Sequence, residues 1–233
     1  MDEAARRQRL IDLLAADGQA MAILRTARDL GLNDWAIGAG FARNRVWDWL
    51  SGYPGRTPFA DVDVLYHDPA DTRVETEKRF EVRLQAALPE VPPWSVKNQA
   101  RMHLRNDDPP YGSTENALRF WLETPTCVAV RLEGDNAITV LAPHGLDDLF
   151  SFVVRPTPSG RRQIDAYRRR MEEKNWVARW PRLRIEAIQS PFGLHKMRGE
   201  QRHDREARAG SRAKRPGARS EEHTSELQSR FGI

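Results

Sequence analysis

The chain has 233 residues, of which 39% are hydrophobic, and its seven tryptophans supply large side chains for a buried core. The single cysteine, Cys127, excludes an intramolecular disulfide and a cysteine-based metal cluster. Residues 1–192 carry 27 Lys and Arg against 27 Asp and Glu, so the net charge of +4 comes from the remaining residues, and the basic composition does not indicate a nucleic-acid surface on the folded part.

The N-terminal residues are charged and lead into an amphipathic pattern, which differs from the apolar core of a signal peptide. No stretch approaches the roughly 18 apolar residues of a membrane span. We therefore expect a cytoplasmic protein without a membrane partner, in which the folded core does not bind nucleic acid. The oligomeric state is left open by the sequence.

The first 32 residues predict two helices, because apolar residues recur at helical spacing on both sides of a break at Gly18. Residues 35–37 follow as a short predicted strand. A turn containing Gly38 and Gly40 then leads into a helix predicted to end near Leu50.

The segment Asp61-Val62-Asp63-Val64-Leu65-Tyr66 predicts a strand with two acids on one face. Strand residues alternate between faces and rise about 3.3 Å each, so Asp61 and Asp63 would project together and could share divalent cations. Carboxylate oxygens suit Mg²⁺ or Mn²⁺, which in turn hold nucleotide phosphates. The alternative interpretation is an acidic pair on a solvated strand face.

The remaining elements alternate between strands and helices. A helix over 75–88 and a strand from Trp94, which we expect to continue through Gln99, Arg101 and His103, make a crossover unit. A hairpin over 127–141, a strand over 152–155 and a helix over 163–174 follow. The fold class predicted from this order is α+β: a mixed β-sheet flanked by helices, with an N-terminal helical extension.

The glycine turn before the helix at residue 41 predicts a phosphate site. Backbone N–H groups at the start of a helix favour anions, and Gly38 and Gly40 would allow a close backbone approach. Arg43 and Asn44 add donors one turn into the helix, where they could bind a triphosphate or a base edge. Trp47 is more simply explained as a core residue than as a stacking platform.

A glycine turn, a helix and Asp-x-Asp on the next strand resemble the DNA polymerase beta nucleotidyltransferase superfamily. The segments GAGFARNRVWDWL, FADVDVLYHD, PWSVKNQARMH and PYGSTENAL resemble more closely a group of small bacterial nucleotidyltransferase-like proteins, with the resemblance running from about Leu10 to Pro181. It implies transfer of a nucleoside monophosphate from a nucleoside triphosphate to an unidentified acceptor. Asp61 and Asp63 would hold two metal ions and Gly40 the triphosphate.

The sequence departs from that superfamily at the third carboxylate, which is expected on the following strand. That strand offers Lys97, a candidate cation for the nucleotide, and Asn98, a weak candidate metal ligand, but no acid. Glu81 or Asp147 could instead be brought in by the fold, and His103 could act as a base. The alternative function is therefore a catalytically weak nucleotide-binding or regulatory protein on the same fold.

The C-terminal residues differ in composition from the rest of the chain. We expect a domain over residues 1–192, with the helices of residues 1–32 packed on it, and a basic disordered tail over 193–233. Within this tail, residues 219–229 read RSEEHTSELQS, which resembles the translation of a sequencing-library adapter.

Overall fold

The computed structural model of the chain describes residues 1–91 and 93–187. Its strands are β1 (Ala36–Ile37), β2 (Val62–Tyr66), β3 (Trp94–Asn98), β4 (Ala129–Leu132), β5 (Ile138–Leu141), β6 (Val153–Val154) and β7 (Arg184–Ile185). Its helices are α1 (Glu3–Ala15), α2 (Gly18–Arg28), α3 (Gly40–Leu50), α4 (Val74–Ala87), α5 (Gln99–Asn106), α6 (Thr114–Leu118), α7 (Asp147–Phe150), α8 (Pro158–Arg162), α9 (Ile164–Lys174) and α10 (Trp176–Arg179), with a short 3₁₀ helix at Thr124–Thr126.

Five strands form one mixed sheet in the order β3-β2-β1-β4-β5. β2 and β3 are parallel and are joined through α4, whereas β1 runs antiparallel to both β2 and β4, and β4 pairs with β5 in an antiparallel hairpin. β6 and β7 form a separate parallel pair. The predicted α+β class and mixed sheet are confirmed by this arrangement.

The hydrophobic core fills the space between the sheet and its helices. Val62 and Val64 on β2 and Val96 on β3 are fully buried, and their branched side chains suit the pleated surface of a sheet. Trp47 on α3 lies in the same core, with its ring 5.0 Å from that of Trp180 and its indole N–H donating to the carbonyl of Leu149. The interpretation of Trp47 as a core residue is therefore correct.

The two N-terminal helices lie against this core. Each begins at an aspartate whose side chain accepts a backbone N–H, Asp2 from Ala5 and Asp17 from Ala20, which satisfies donors that a helix start leaves free. α1 contacts α3, α7 and β5, while α2 contacts β4 and α4. The proposed tail over 193–233, including residues 219–229, and the domain end at 192 lie outside the described residues.

β3 is the outer strand at one end of the sheet, and carboxylates from α4 bind its free backbone N–H groups. Glu81 accepts the backbone N–H of Val96 at 2.9 Å, and Glu77 accepts that of Asn98 at 2.8 Å. Glu77 also pairs with Arg101 at 2.5 Å. These bonds occupy strand donors that would otherwise be open to pairing with another chain.

The expected continuation of β3 through Gln99, Arg101 and His103 is wrong, because these residues belong to α5. The strand ends at Asn98, whose side-chain oxygen accepts the backbone N–H of Ala100 and so caps the new helix. His103 therefore does not lie on a strand face beside the acids, and its ring packs 5.9 Å from that of Tyr111.

Candidate functional site

Asp61 and Asp63 lie at one end of the five-stranded sheet. Asp61 directly precedes β2 and is exposed, whereas Asp63 is the second residue of the strand and is 7% exposed. Asp63 is paired with Ser95 on the parallel neighbour β3. On the other side, its carbonyl accepts the backbone N–H of Gly38 at 3.0 Å, which places the predicted glycine turn beside the acids.

The environment of Asp63 disfavours its ionised form. Burial, followed by repulsion from Asp61, raises the pKa of the Asp63 carboxyl to about 6, whereas a hydrogen bond from Ser95 and the charges of Arg170 and Lys174 act in the opposite direction. Asp61 and Asp63 are separated by only one residue, and their negative charges repel each other. A titration near neutral pH is typical of groups at functional sites.

The acid pair fits a divalent cation by its chemistry. Two nearby carboxylates that repel each other, one of them buried, are stabilised together when an ion of charge +2 binds between them. Neither carboxylate forms an ion pair within 4.0 Å with any residue that the structure describes. In residues 1–91 and 93–187, however, no group of three or more His, Cys, Asp or Glu side chains is arranged to hold a metal.

The turn between β1 and α3 differs in detail from the prediction. The residue with a left-handed backbone is Ala39, at φ 53°, and neither Gly38 nor Gly40 has a positive φ. Gly38 is buried, and a β-carbon there would lie 3.1 Å from both Leu65 and Trp121, so its role is close packing. Gly40 is half-buried, and α3 begins there without a side-chain cap.

Arg43 and Asn44 lie next to each other in the protein interior. All three guanidinium nitrogens of Arg43 are engaged, two with the Asn44 oxygen at 3.2 and 3.0 Å and one with Thr126 at 3.3 Å. The guanidinium also lies 4.3 Å from the ring centre of Trp176. Each guanidinium nitrogen of Arg43 therefore already donates one hydrogen bond to a protein group, while its positive charge remains at the site.

Burial and the nearby Arg170 lower the pKa of Arg43 to about 9, and the charges of Glu123, Asp63 and Asp61 raise it. The side chain remains cationic at neutral pH. These interactions show that the guanidinium lies in the electrostatic field of both Glu123 and the acid pair.

A buried ion pair joins Arg170 of α9 to Glu123, which precedes the 3₁₀ helix. The Arg170 Nε donates to the Glu123 carboxylate at 2.8 Å, and both side chains are almost fully buried. The same carboxylate accepts a short hydrogen bond from the Thr126 hydroxyl, which in turn accepts from Arg43. Glu123 thus links the two arginines, which would otherwise repel each other.

Lys174 lies one turn beyond Arg170 on α9 and is exposed. Partial burial of its ammonium group, followed by the charges of Arg170 and Arg43, lowers the pKa of Lys174, while Asp61 and Asp63 raise it. Lys174 therefore belongs to the same electrostatic cluster as the acid pair. Arg43, Arg170 and Lys174 are hereafter called the cationic cluster.

Lys97 and Asn98, two further predicted site residues, do not lie beside Asp61 and Asp63. Lys97 pairs with Glu81 at 3.1 Å over the edge of the sheet. Asn98 is aligned with Tyr66, three residues or roughly 10 Å along β2 from Asp63. Its side chain is fully used: the oxygen accepts from Asp68 and Ala100, and the nitrogen donates to the carbonyls of Asp68 and Asp71. The structure does not bring Lys97 or Asn98 together with the acid pair.

The acids considered as a third carboxylate are also engaged elsewhere. Glu81 binds the edge of β3 as described, and Asp147 pairs with Arg6 of α1 at 2.5 Å. The residue next to Asp63 on the neighbouring strand is Ser95, whose hydroxyl is a neutral ligand at most. The strand register therefore places a serine where the resemblance implies an acid.

The sequence interpretation missed Glu123, Arg170 and Lys174. The partner of Glu123 is 47 residues away, so no local pattern predicts the contact. Arg170 and Lys174 lie in a highly charged helix, but Arg170 follows the buried Tyr167 by three residues and so shares its face. That spacing was the available signal.

No helix in the described part of the chain is long and apolar enough to cross a membrane. No curated protein matches the sequence significantly. A solved structure described as a CCA-adding enzyme head domain, determined by NMR, is 32% identical, with a TM-score of 0.68 over 78% of this chain and 96% of that one.

A CCA-adding enzyme solved with CTP is 16% identical, with a TM-score of 0.50 over 76% of this chain and 43% of that one, and so shares the fold over less than half of its own length. A family model described as nucleotidyltransferase matches residues 25–185, which include the acid pair, the turn at Gly38 and the cationic cluster. From this match and the 32% identical head domain, the chain belongs to a family of nucleotidyltransferases.

Proposed function

We propose that the protein transfers a nucleoside monophosphate from a nucleoside triphosphate to an acceptor, with Mg²⁺ or Mn²⁺ held by Asp61 and Asp63. The observation that carries the proposal is the acid pair beside the start of α3, in a chain of this family. The buried, mutually repelling carboxylates support a cation site, and the uncapped helix start supports an anion site next to it.

The residues divide the work between binding and charge stabilisation. Asp61 and Asp63 would hold the metal ions, which would supply positive charge to the phosphates and to the leaving pyrophosphate. The start of α3 and the cationic cluster supply positive potential for the phosphate chain. Such a reaction depends mainly on positioning, so it needs no nucleophile from the protein.

The test is transfer of label from α-³²P-labelled nucleoside triphosphates with Mg²⁺, with pyrophosphate release measured in parallel. Asp61→Asn and Asp63→Asn should each lower turnover by at least about a hundredfold, because each removes charge that holds the metal. Glu90→Gln, at an exposed position in a turn, is the matched control and should retain full activity. Unchanged turnover in both aspartate variants would refute the assignment.

A second candidate is a nucleotide-binding or regulatory protein with little turnover. It is favoured by one observation, the presence of Ser95 rather than an acid next to Asp63. This candidate predicts tight binding of nucleoside triphosphate without pyrophosphate release in a single turnover. Ser95→Asp would then be expected to create or raise turnover, whereas pyrophosphate release by the unaltered chain excludes the candidate.

A further inference from the structure

Helix α9 brings two cations to the acid pair from a distant part of the sequence. Arg170 and Lys174 are four residues apart and therefore lie on the same face of the helix, one turn from each other. Arg170 donates to Glu123, and Glu123 is linked through Thr126 to Arg43 on α3, the helix that begins beside Asp63. This chain of contacts connects the face of α9 that carries Arg170 and Lys174 to the site of the acid pair, and the charges of both residues act on Asp63.

Arg170 is fixed in place through its Nε. Its Nε donates to Glu123, while its two terminal nitrogens donate to no residue within the described part of the chain. Arg43 differs, since all of its nitrogens are already bonded to protein groups. Lys174 likewise forms no ion pair within 4.0 Å with a described residue. Arg170 and Lys174 therefore have donors available for a ligand.

The buried pair that holds Arg170 is poorly explained by stability alone. A buried ion pair contributes little net stability compared with apolar residues of similar volume. One carboxylate oxygen of Glu123 also has no hydrogen-bond partner in the described structure, which adds to the cost. The rigid placement of a second arginine beside Arg43 therefore calls for a functional reason.

Charge balance identifies the kind of ligand. Once Asp61 and Asp63 are neutralised by bound divalent cations, the carboxylate of Glu123 remains as the acid that the described structure bonds to this cluster of Arg43, Arg170 and Lys174. This excess of positive charge suits a polyanion that also contacts the metal, and terminal guanidinium and ammonium donors match phosphate oxygens.

We propose that Arg170 and Lys174 of α9 bind the triphosphate of the nucleotide substrate, with Glu123 acting as the positioning residue that holds Arg170. This assignment rests on the proposed function, because it names the residues that contact the substrate of that site. The simpler role of Lys174, a cation at the C-terminal end of α9, would stabilise the helix but would not affect ligand binding.

The test measures the affinity of the full chain for inorganic tripolyphosphate and for nucleoside triphosphate by calorimetry, at two salt concentrations. Lys174→Gln should weaken both affinities roughly tenfold and reduce their salt dependence, because one charged contact to phosphate is lost. Arg170→Lys retains the positive charge beside Glu123 but lacks the two terminal nitrogens of a guanidinium. It should lower the affinity for both ligands about as much as Lys174→Gln does. The matched control is Arg168→Gln, which removes a charge from the exposed side of the same helix and should change neither affinity.

The outcomes separate this assignment from the proposed reaction. Tripolyphosphate binding requires no chemistry, so binding that depends on Lys174 in a chain without turnover supports the assignment and contradicts the transferase. Equal tripolyphosphate affinity in the unaltered chain, Lys174→Gln and Arg168→Gln overturns the assignment even where label transfer is observed. Failure of the unaltered chain to bind tripolyphosphate also overturns it.

Discussion

At the scale of single residues, the position of Asp63 lowers the stability of the folded protein. Its carboxyl is buried beside another acid, and its pKa rises to about 6, so the folded protein is destabilised when Asp63 ionises. A group with a higher pKa in the folded state binds more protons there than in the unfolded chain. The free energy of unfolding therefore decreases as the pH rises from about 4 to about 6.

Asp63→Asn should be more stable than the unaltered chain at pH 8 without divalent cations, by about 2 to 3 kcal/mol, because the buried charge is removed. The difference should shrink to about 0.5 kcal/mol at pH 4, where Asp63 is protonated in the folded protein and only partly protonated in the unfolded chain. Urea unfolding at pH 4, 6 and 8 measures it. The control Glu90→Gln should leave stability unchanged, and equal stabilities of Asp63→Asn and the unaltered chain at pH 8 would contradict the prediction.

No local sequence pattern predicts the role of Glu123. It follows Leu122 in a segment with no helical or strand periodicity, and its partner Arg170 is distant in the sequence. Only the packing of α9 against the 3₁₀ helix region brings the two together. The residue types show that Glu123 and Arg170 can form an ion pair, but the sequence does not show that they are in contact.

At the scale of elements, the connection between β1 and α3 contains one tightly packed glycine, Gly38, and one glycine with space around it, Gly40. Gly38 is enclosed by Leu65 and Trp121, whereas a β-carbon at Gly40 would make only ordinary contacts, the closest at 3.4 Å with Asn44. The two glycines were predicted to serve the same purpose, nucleotide binding. Their surroundings indicate that they respond differently to the same substitution.

Gly38→Ala should lower the free energy of unfolding by about 1 to 3 kcal/mol, because the added methyl group is forced against two core side chains. Gly40→Ala should retain or slightly increase stability, since alanine favours the helix. Its nucleoside triphosphate affinity should nevertheless fall several-fold, because the methyl group occupies the approach to the helix start. Thermal unfolding and calorimetry test the pair, each variant serving as the control for the other. Unaltered nucleotide affinity in Gly40→Ala would remove Gly40 from the binding site.

The boundary between β3 and α5 illustrates what element prediction from sequence lacks. The alternation of Gln99, Arg101 and His103 is compatible with a strand, but the Asn98 side chain caps a helix instead. Asparagine is both a common helix cap and a tolerated strand residue, so the local pattern does not decide between them. The tertiary bonds from Asn98 to the loop at Asp68 and Asp71 favour the cap.

At the scale of the whole molecule, the site depends on elements from both ends of the described chain. β2 and α3 supply the acids and the helix start, while α9 supplies Arg170 and Lys174 more than a hundred residues later. The residues after 192 contribute all the net positive charge but none of the named side chains. The domain boundary at residue 192 stays a prediction.

A chain truncated after residue 192 should unfold cooperatively, with a melting temperature within a few degrees of the full chain, and should bind nucleoside triphosphate equally well. The physical reason is that the cationic cluster and its partners all precede that residue. A shorter chain ending at residue 163, which lacks α9, α10 and β7, should lose both the cooperative transition and binding, because Glu123, Trp47 and Asp48 lose buried partners. Scanning calorimetry and binding of the two truncated chains provide the comparison, and loss of binding on removal of residues 193–233 alone would contradict the boundary.

Periodicity and residue type within short segments were enough to predict the fold class, most of the helices and strands, and the neighbouring positions of Asp61 and Asp63. Which distant side chains share the site depended on the folded chain, which places Ser95 beside Asp63, keeps Lys97 and Asn98 apart from the acids, and joins Glu123 to Arg170. Such contacts arise from strand register and from the packing of helices far apart in the chain, and neither leaves a local pattern in the sequence.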